Sequence, residues 1–502
     1  MPQSFDELYV ISDLHLGGKT GFQIFNQGAT LAAFIRNLTG KPANRRVGLV
    51  LNGDTVDFLA EANTEYLDPD GAVQKLRRIL LEDKSFSGVF SALQEFVAVQ
   101  NRQLIIVLGN HDVELALPEV KEWLLANISI TKQEARGRVT MCYDGAGFAC
   151  DVGGKRVFCI HGNDVDTWNF VDQKQLRELS LSLNFGKTPS EWDANAGTRL
   201  VIDVMNSIKR RFPIVDLLKP EVEAVVPFLL CLKPDCYKEV SRILTVATHL
   251  SRDAILRSIG FLSAEEEIKE IPAQKEEVMS QFATRYFDYD AAKFTSAASL
   301  ISSAYESLDA EKIRRGASDV TAPQSSGGEQ FLGPTDYIRA LFSKEKDKAE
   351  NLRKALAKNL QEDQTFSITH RDQTFIEIDK QAGSNVQFLV TGHTHLERAI
   401  ARSTPGCYYY NSGTWIRLIQ LNADVLNNPD EFARVYKAFE SGTMEQLDEI
   451  KDLGPKRNQH LVLSRPTVVS IVARDGDTFG ELNHVQTDGS LQPVENSKYP
   501  GR

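Results

Sequence analysis

Three short apolar, β-branched runs stand out near the start of the chain: Leu8-Tyr-Val-Ile-Ser12, Val47-Gly-Leu-Val-Leu51 and Gln103-Leu-Ile-Ile-Val-Leu108. Stretches with helical spacing separate them, at about 22 to 38 (Phe25, Leu31, Phe34, Ile35, Leu38) and at about Ala72 to Val99. Runs this short and this continuously apolar read as buried strands. Strand, helix, strand implies parallel pairing, and parallel strands bring their carboxyl ends to one edge of a sheet. An α/β fold is expected, with whatever follows each strand gathered on one rim.

The residues that follow are unusual. The first run ends in Asp13-Leu-His15 and Gly17-Gly18, the second in Asn52-Gly-Asp54-Thr-Val-Asp57, the third in Gly109-Asn110-His111-Asp112. A fourth run, Arg156-Val-Phe-Cys-Ile160, ends in His161-Gly162, and a distant one, Phe388-Leu-Val-Thr, ends in Gly392-His393-Thr-His395. Side chains two apart in extended backbone point the same way, so His393 and His395 can face one ion or two neighbouring ions, as can Asp13 and His15. Taken singly, each tip has a plainer explanation: a capped turn at Asp13, a tight turn at Gly53-Asp54, a structural buried His161, a surface His-x-His pair. Together they supply hard oxygen and borderline nitrogen, the mixture that Mn, Fe or Zn accepts. Asp13 and Asp54 at neighbouring strand ends would repel unless cations lie between them, and His111 has an imidazole suited to proton transfer near neutrality.

The chain has 502 residues, 42% hydrophobic and 25% charged, enough for about two to three domains. A formal charge of -11 provides no global basic field for nucleic acid or anionic lipid. The cysteines Cys142, Cys150, Cys159, Cys231, Cys236 and Cys407 form no C-x-x-C pair, which fits a reducing compartment. The polar start Met1-Pro-Gln-Ser-Phe-Asp-Glu7 is no signal peptide, and Val222 to Leu232 is far too short to span a bilayer. A cytosolic protein without a transmembrane segment is expected.

From about Val165 to about Asn385 strand-like runs nearly vanish, and helices are expected around 171–184, 197–211, 236–259, 274–284, 289–306 and 335–360. This predicts an inserted helical domain and a division into 1–164, 165–385 and 386–502. Ala317 to Pro334, rich in Ser, Gly and Pro, reads as a loop, and the charged segment Ser343 to Lys354 as a solvated helix face. His370-Arg-Asp372 matches a kinase catalytic loop only in part, since Glu377 stands where Asn is needed. Beyond it, Cys407 to Ile416 reads as strand and turn, about 428–452 as helix, Thr467 to Val472 and Phe479 to Val485 as strands, and the tail after Asp488 as frayed.

The five tips in this order resemble the calcineurin-like metallophosphoesterase superfamily, matched at Asp13/His15, Gly53/Asp54, Gly109/Asn110/His111, His161 and Gly392/His393/His395. The resemblance covers about 7–164 and 386–420 and implies a β-sandwich of mixed sheets flanked by helices, with the insert as a large α-helical cap. It further implies that Asp13, His15 and His395 hold one divalent transition-metal ion, that Asn110, His161 and His393 hold a second, and that Asp54 bridges both. Manganese is the expected metal, with iron or zinc as alternatives. Two such ions about 3.5–4 Å apart activate a shared water as nucleophile and stabilise both oxygens of an in-line displacement at phosphorus. His111 is implied as the acid and Asp57 as the group that orients it, with Asp112 as a rival for that role.

Departures from the family narrow the substrate. Protein phosphatases carry arginine where this chain has Phe58, which disfavours dephosphorylation of folded proteins. The wording Ile11-Ser-Asp-Leu-His-Leu16 and Gly392-His-Thr-His395 is similar to the bacterial branch that includes UDP-2,3-diacylglucosamine pyrophosphohydrolases, although Asn163 replaces a common Asp and the insert is much longer. The expected activity is hydrolysis of a phosphoester or phosphoanhydride in a small or medium phosphorylated substrate, nucleotide-like ones included. A metal-dependent nuclease is the alternative that the acidic charge sets back. A catalytically silent partner-binding module is the other, set back because every expected position is filled. Trp168 is a candidate for stacking a base or sugar at the mouth of the site, against the plainer role of packing.

Overall fold

The three apolar runs form adjacent parallel strands, Glu7–Ile11, Val47–Asn52 and Arg102–Val107, in a computed structural model. It describes residues 3–20, 23–61, 67–130, 132–166, 169–187, 212–219, 349–350, 352–354, 356–357, 360, 363–455 and 459–500. The chain divides into two compact units: Met1–Ile202, Gln364–Leu418 and Leu463–Arg502 in the first, Asp203–Asp363 and Ile419–Val462 in the second.

The first unit contains two mixed sheets. The seven-stranded one runs, edge to edge, Leu491–Pro493, Asp477–Val485, Thr467–Arg474, Glu7–Ile11, Val47–Asn52, Arg102–Val107, Val139–Cys142. The six-stranded one runs Gln3–Phe5, Phe148–Val152, Lys155–Cys159, Phe388–Thr391, Tyr408–Ser412, Glu397–Ala401. Alternation along the central strands decides what each face covers. Leu8, Val10, Val50, Ile105 and Val107 pack toward the other sheet, against Val157, Phe388, Val390 and Tyr410. Tyr9, Ile11, Leu49, Leu51, Leu104 and Ile106 face the opposite way, onto the helices Gly28–Thr39, Ser87–Ala98 and Pro118–Ile128. A third layer contact joins helix Gln373–Gln381 to the outer face of the six-stranded sheet through Phe375, Ile378, Leu389 and Tyr409. Full burial of each such side chain contributes about 1.5–3 kcal/mol, which is why strands covered on both faces need no polar alternation.

Two expectations change. The helical stretch 72–99 is broken: helix Pro69–Arg77 ends in a π turn at Arg78–Glu82, and a second helix begins at Ser87. The break is fixed by Asp83, whose carboxylate accepts from Ser85 N and Gln23 Nε2, both at 2.7 Å. Nor is the tail frayed. Leu491–Pro493 pairs with Asp477–Val485, Tyr499 and Gly480 exchange backbone hydrogen bonds at 2.8 and 2.7 Å, and the Tyr499 ring stacks on Tyr408 at 4.8 Å.

Of the predicted insert, the structure describes helix Gln173–Asn184, capped by Asp172, helix Gln373–Gln381, capped by Asp372, and, against the helical expectation, a 3-10 turn at Pro213–Asp216 and the short strand Leu218–Lys219. The helices expected at 236–259, 274–284 and 289–306, the loop Ala317 to Pro334, and Trp168 lie outside the described residues, as do 197–211 and most of 335–360. In the second unit, helix Pro429–Ser441 starts with an Asn428 cap and Pro429 and stops at Gly442, whose φ of 68° suits a left-handed helix end. Its buried stripe, Phe432, Val435, Tyr436 and Phe439, has helical spacing. Among the described residues no helix is long and apolar enough to cross a membrane.

Candidate metal centre

Register brings the tips together. Ile11 pairs with Leu51 and Leu51 with Ile106, so Asp13, Asp54 and Asn110 leave one sheet edge at the same level. Cys159 pairs with Val390, which does the same for His161 and His393. The loops are then tied to one another: Asp13 N donates to Gly53 O at 3.1 Å, His15 N to Asp54 O at 2.9 Å, Gly392 N to His161 O at 2.9 Å. Carboxylates join in, because His111 N donates to Asp54 Oδ1 at 2.8 Å and His393 N to Asp13 Oδ2 at 3.0 Å.

Two glycines make this closeness feasible. A Cβ on Gly109 would collide with Asp54 Oδ1 and the Asp54 backbone nitrogen, and one on Gly392 would collide with the Ser12 side chain and Asp13 Oδ2. The tips themselves are bent into left-handed backbone at Asp13 (φ 53°), His15 (46°), Asp54 (51°), His393 (71°) and His395 (62°). Non-glycine residues rarely adopt that region, and it concentrates at functional sites.

Ligand-type atoms of Asp13, His15 and His395 lie within 4.8 Å of one another, and so do those of Asp13, Asp54 and His161. His15 Nε2 is 3.2 Å from His395 Nε2, His395 Nε2 is 3.4 Å from Asp13 Oδ1, and His161 Nε2 is 3.2 Å from Asp54 Oδ2. Burial pushes Asp54 up, yet the imidazoles of His161, His111 and His15 hold its carboxyl well below the usual range. Conversely, burial would lower His161, but Asp54 and Asp13 carry it up to about 10. Burial and the neighbouring Asp54 charge raise Asp13 despite His161 and His15. The pocket thus demands positive charge among its buried carboxylates. A divalent cation meets that demand while leaving the imidazoles neutral and able to donate lone pairs. One further atom fits: among the described residues Asn110 Oδ1 is buried without a hydrogen-bond partner, the state of an oxygen kept for a ligand.

The acid candidate sits beside this group. Asp57 Oδ2 lies 3.5 Å from His111 Nδ1 and 3.3 Å from His15 Nδ1, while its Oδ1 accepts from Leu59 N and Ala60 N at 3.0 Å. Burial pushes Asp57 up, but His111 and His15 hold it well below the carboxylate range. Asp112, the rival, is committed to backbone: its two oxygens accept from Gly109 N and Thr55 N, both at 2.7 Å. Burial, reinforced by Asp54, pushes Asp112 up to about 7. Phe58 is fully buried in the core under the helices.

The seven candidate ligands do not all point at one spot. His393 Nε2 lies 2.9 Å from Asp166 Oδ2, with its ring 5.4 Å from that of His161. Asn110 Nδ2 donates to Asn169 Oδ1 at 3.4 Å. Sequence reasoning missed Asp166 and Asn169, because both fall in an irregular loop past the His161 tip with no strand to mark them.

Residues 7–213 match the family model described as calcineurin-like phosphoesterase, which supports kinship with that superfamily and phosphoester hydrolysis as the general chemistry. The two mixed sheets and their helices fit a calcineurin-like fold. No curated protein matches the chain.

Proposed function

We propose that the chain hydrolyses a phosphoester or phosphoanhydride bond in a small or medium-sized phosphorylated substrate, using two divalent transition-metal cations, manganese foremost. The observation that carries this reading is the meeting of Asp13, His15 and His395 within 4.8 Å, adjoined by Asp54 and His161. Asp13, His15 and His395 would hold one cation, Asn110, His161 and His393 the other, and Asp54 both. When bound, the pair supplies Lewis acidity that lowers the pKa of water and offsets phosphate charge.

The protein's own groups do the rest. His111 delivers a proton from Nε2 to the departing oxygen, and Asp57, 3.5 Å from Nδ1, holds the ring in the tautomer that makes this feasible. Asp112 pins the Gly109 and Thr55 amides, which sets the distance between the His111 loop and the Asp54 loop. The apolar Phe58, in place of a phosphate-gripping arginine, favours substrates other than phosphoproteins.

The test is to strip the protein with chelator, reload it with Mn, Fe or Zn, and compare p-nitrophenyl phosphate, its bis-ester and DNA. Two equivalents of metal restoring ester hydrolysis is the expected result. Metal uptake with no turnover of any ester would overturn the hydrolase reading.

A further inference from the structure

Past the His161 tip, a short 3-10 turn at Asn163–Val165 leads to a loop in which Asp166 and Asn169 lie against two of the candidate ligands. We propose that Asn169 and Asp166 form a clamp that fixes how Asn110 and His393 present their donor atoms, and so selectively sets cation affinity at the Asn110/His161/His393 position. This rests on the two-cation reading above. The loop is itself held: Asn163 Nδ2 donates to Asn169 O at 3.0 Å, Asp166 N to Asn163 O at 3.0 Å, and Asn169 N to Asp166 O at 3.2 Å.

On that base a single side-chain amide works at both ends. Asn169 Nδ2 donates to Asp166 Oδ2 at 2.8 Å, and that same oxygen lies 2.9 Å from His393 Nε2. Asn169 Oδ1 accepts from Asn110 Nδ2. A flip of the Asn169 amide would set its NH2 against that of Asn110 and its carbonyl against the Asp166 carboxylate, so the orientation is self-enforcing. Asn110, with its NH2 engaged, has only Oδ1 to turn elsewhere, and among the described residues that buried oxygen has no hydrogen-bond partner. His393, with Nε2 on a carboxylate, gains basicity and a fixed ring, and Nδ1 is the nitrogen that would be offered to a cation. Asn169 reaches Asn110 and Asp166 reaches His393, two ligands of the same position, which makes the predicted effect one-sided.

The experiment uses the full chain, stripped of metal and titrated with Mn2+ alone, read by calorimetry and by electron paramagnetic resonance. Asn169 and Asp166 are both partly exposed, so Asn169→Ala and Asp166→Asn remove side chains from outside the core. His15→Ala serves as the control that strikes the other position. Wild type is expected to take two Mn2+ with a spin-coupled spectrum. Asn169→Ala should lose about 10- to 100-fold in affinity at one position only, giving an uncoupled single-ion spectrum at limiting metal, and Asp166→Asn should weaken the same position. The position left intact should be the one that His15→Ala destroys. Unchanged affinities in both variants, or equal weakening of both positions, would overturn the clamp while leaving the two-cation reading standing. A wild-type chain that bound fewer than two ions would refute that reading and the clamp together.

Discussion

Asp57→Asn changes the chemistry of one atom and almost none of the shape. Asparagine Oδ1 can accept from Leu59 N and Ala60 N as the carboxylate does at 3.0 Å, so the turn at Phe58–Ala60 keeps its cap. The other atom becomes an NH2 facing His15 Nδ1 at 3.3 Å and His111 Nδ1 at 3.5 Å. Two donors then confront each other at both contacts, and each ring must change tautomer or turn away. A hydrogen bond to a charged group contributes about 1.5–3 kcal/mol, and these long contacts belong at the lower end, so the pair amounts to roughly 3–4 kcal/mol. The His111 contact accounts for about half of that, so at about 1.4 kcal/mol per factor of ten the expected fall in kcat through His111 is roughly 10- to 30-fold. Cation affinity through His15 should fall by about tenfold or more. KM should stay within a few-fold, because Asp57 is placed to touch imidazoles and not substrate. The assay is kcat and KM on p-nitrophenyl phosphate across pH 5.5 to 9 at saturating Mn2+, with Mn2+ binding measured in parallel. A kcat within threefold of wild type throughout would refute the orienting role.

His111→Ala should keep both cations yet lose about 10²- to 10⁴-fold in turnover, and unchanged kcat would remove His111 from the reaction. Gly109→Ala adds no charge and deletes no donor, but its Cβ meets Asp54, so about 1–3 kcal/mol of overpacking and about ten- to a hundred-fold weaker Mn2+ binding are expected in calorimetry. Glu114, fully buried, is pushed by burial up to about 7 from 4.5, so the native state holds its proton more tightly than the unfolded state and stability falls as pH rises through that window. Glu114→Gln keeps an acceptor for Leu67 N and should raise stability, relative to wild type, by about 2–3 kcal/mol more at pH 8 than at pH 5. Urea denaturation of the chelated proteins gives the comparison, and equal increments at the two pH values would contradict a neutral buried carboxyl.

What could be read in advance was local. Glu7–Ile11 and Arg102–Val107 announce themselves because strands covered on both faces run apolar after their first residues, and the polar residues that follow them are conspicuous by contrast. The six-stranded sheet was harder, since it is assembled out of chain order: Gln3–Phe5 beside Phe148–Val152, and Phe388–Thr391 between Lys155–Cys159 and Tyr408–Ser412. No nearby pattern encodes such pairings. Phe148-Ala-Cys-Asp-Val152 and Glu397-Arg-Ala-Ile-Ala401 are too mixed to stand out as strands. The tail misled for a related reason, because Tyr499 and Ser497 are held by distant partners, Gly480, Tyr408 and Leu482. Asp166 and Asn169 have only spatial neighbours to give them meaning.

The left-handed backbone at Asp13, His15, Asp54, His393 and His395 reaches beyond the geometry of the pocket. Such torsions cost of order 1–3 kcal/mol apiece, a cost that the packing and hydrogen bonds of the surrounding sandwich must offset. Donors whose backbone is fixed in this way keep their spacing through the chain's own hydrogen bonds, Asp13 N to Gly53 O, His15 N to Asp54 O and His393 N to Asp13 Oδ2 among them. A scaffold so preset would favour ions whose size and taste for nitrogen and oxygen match that spacing.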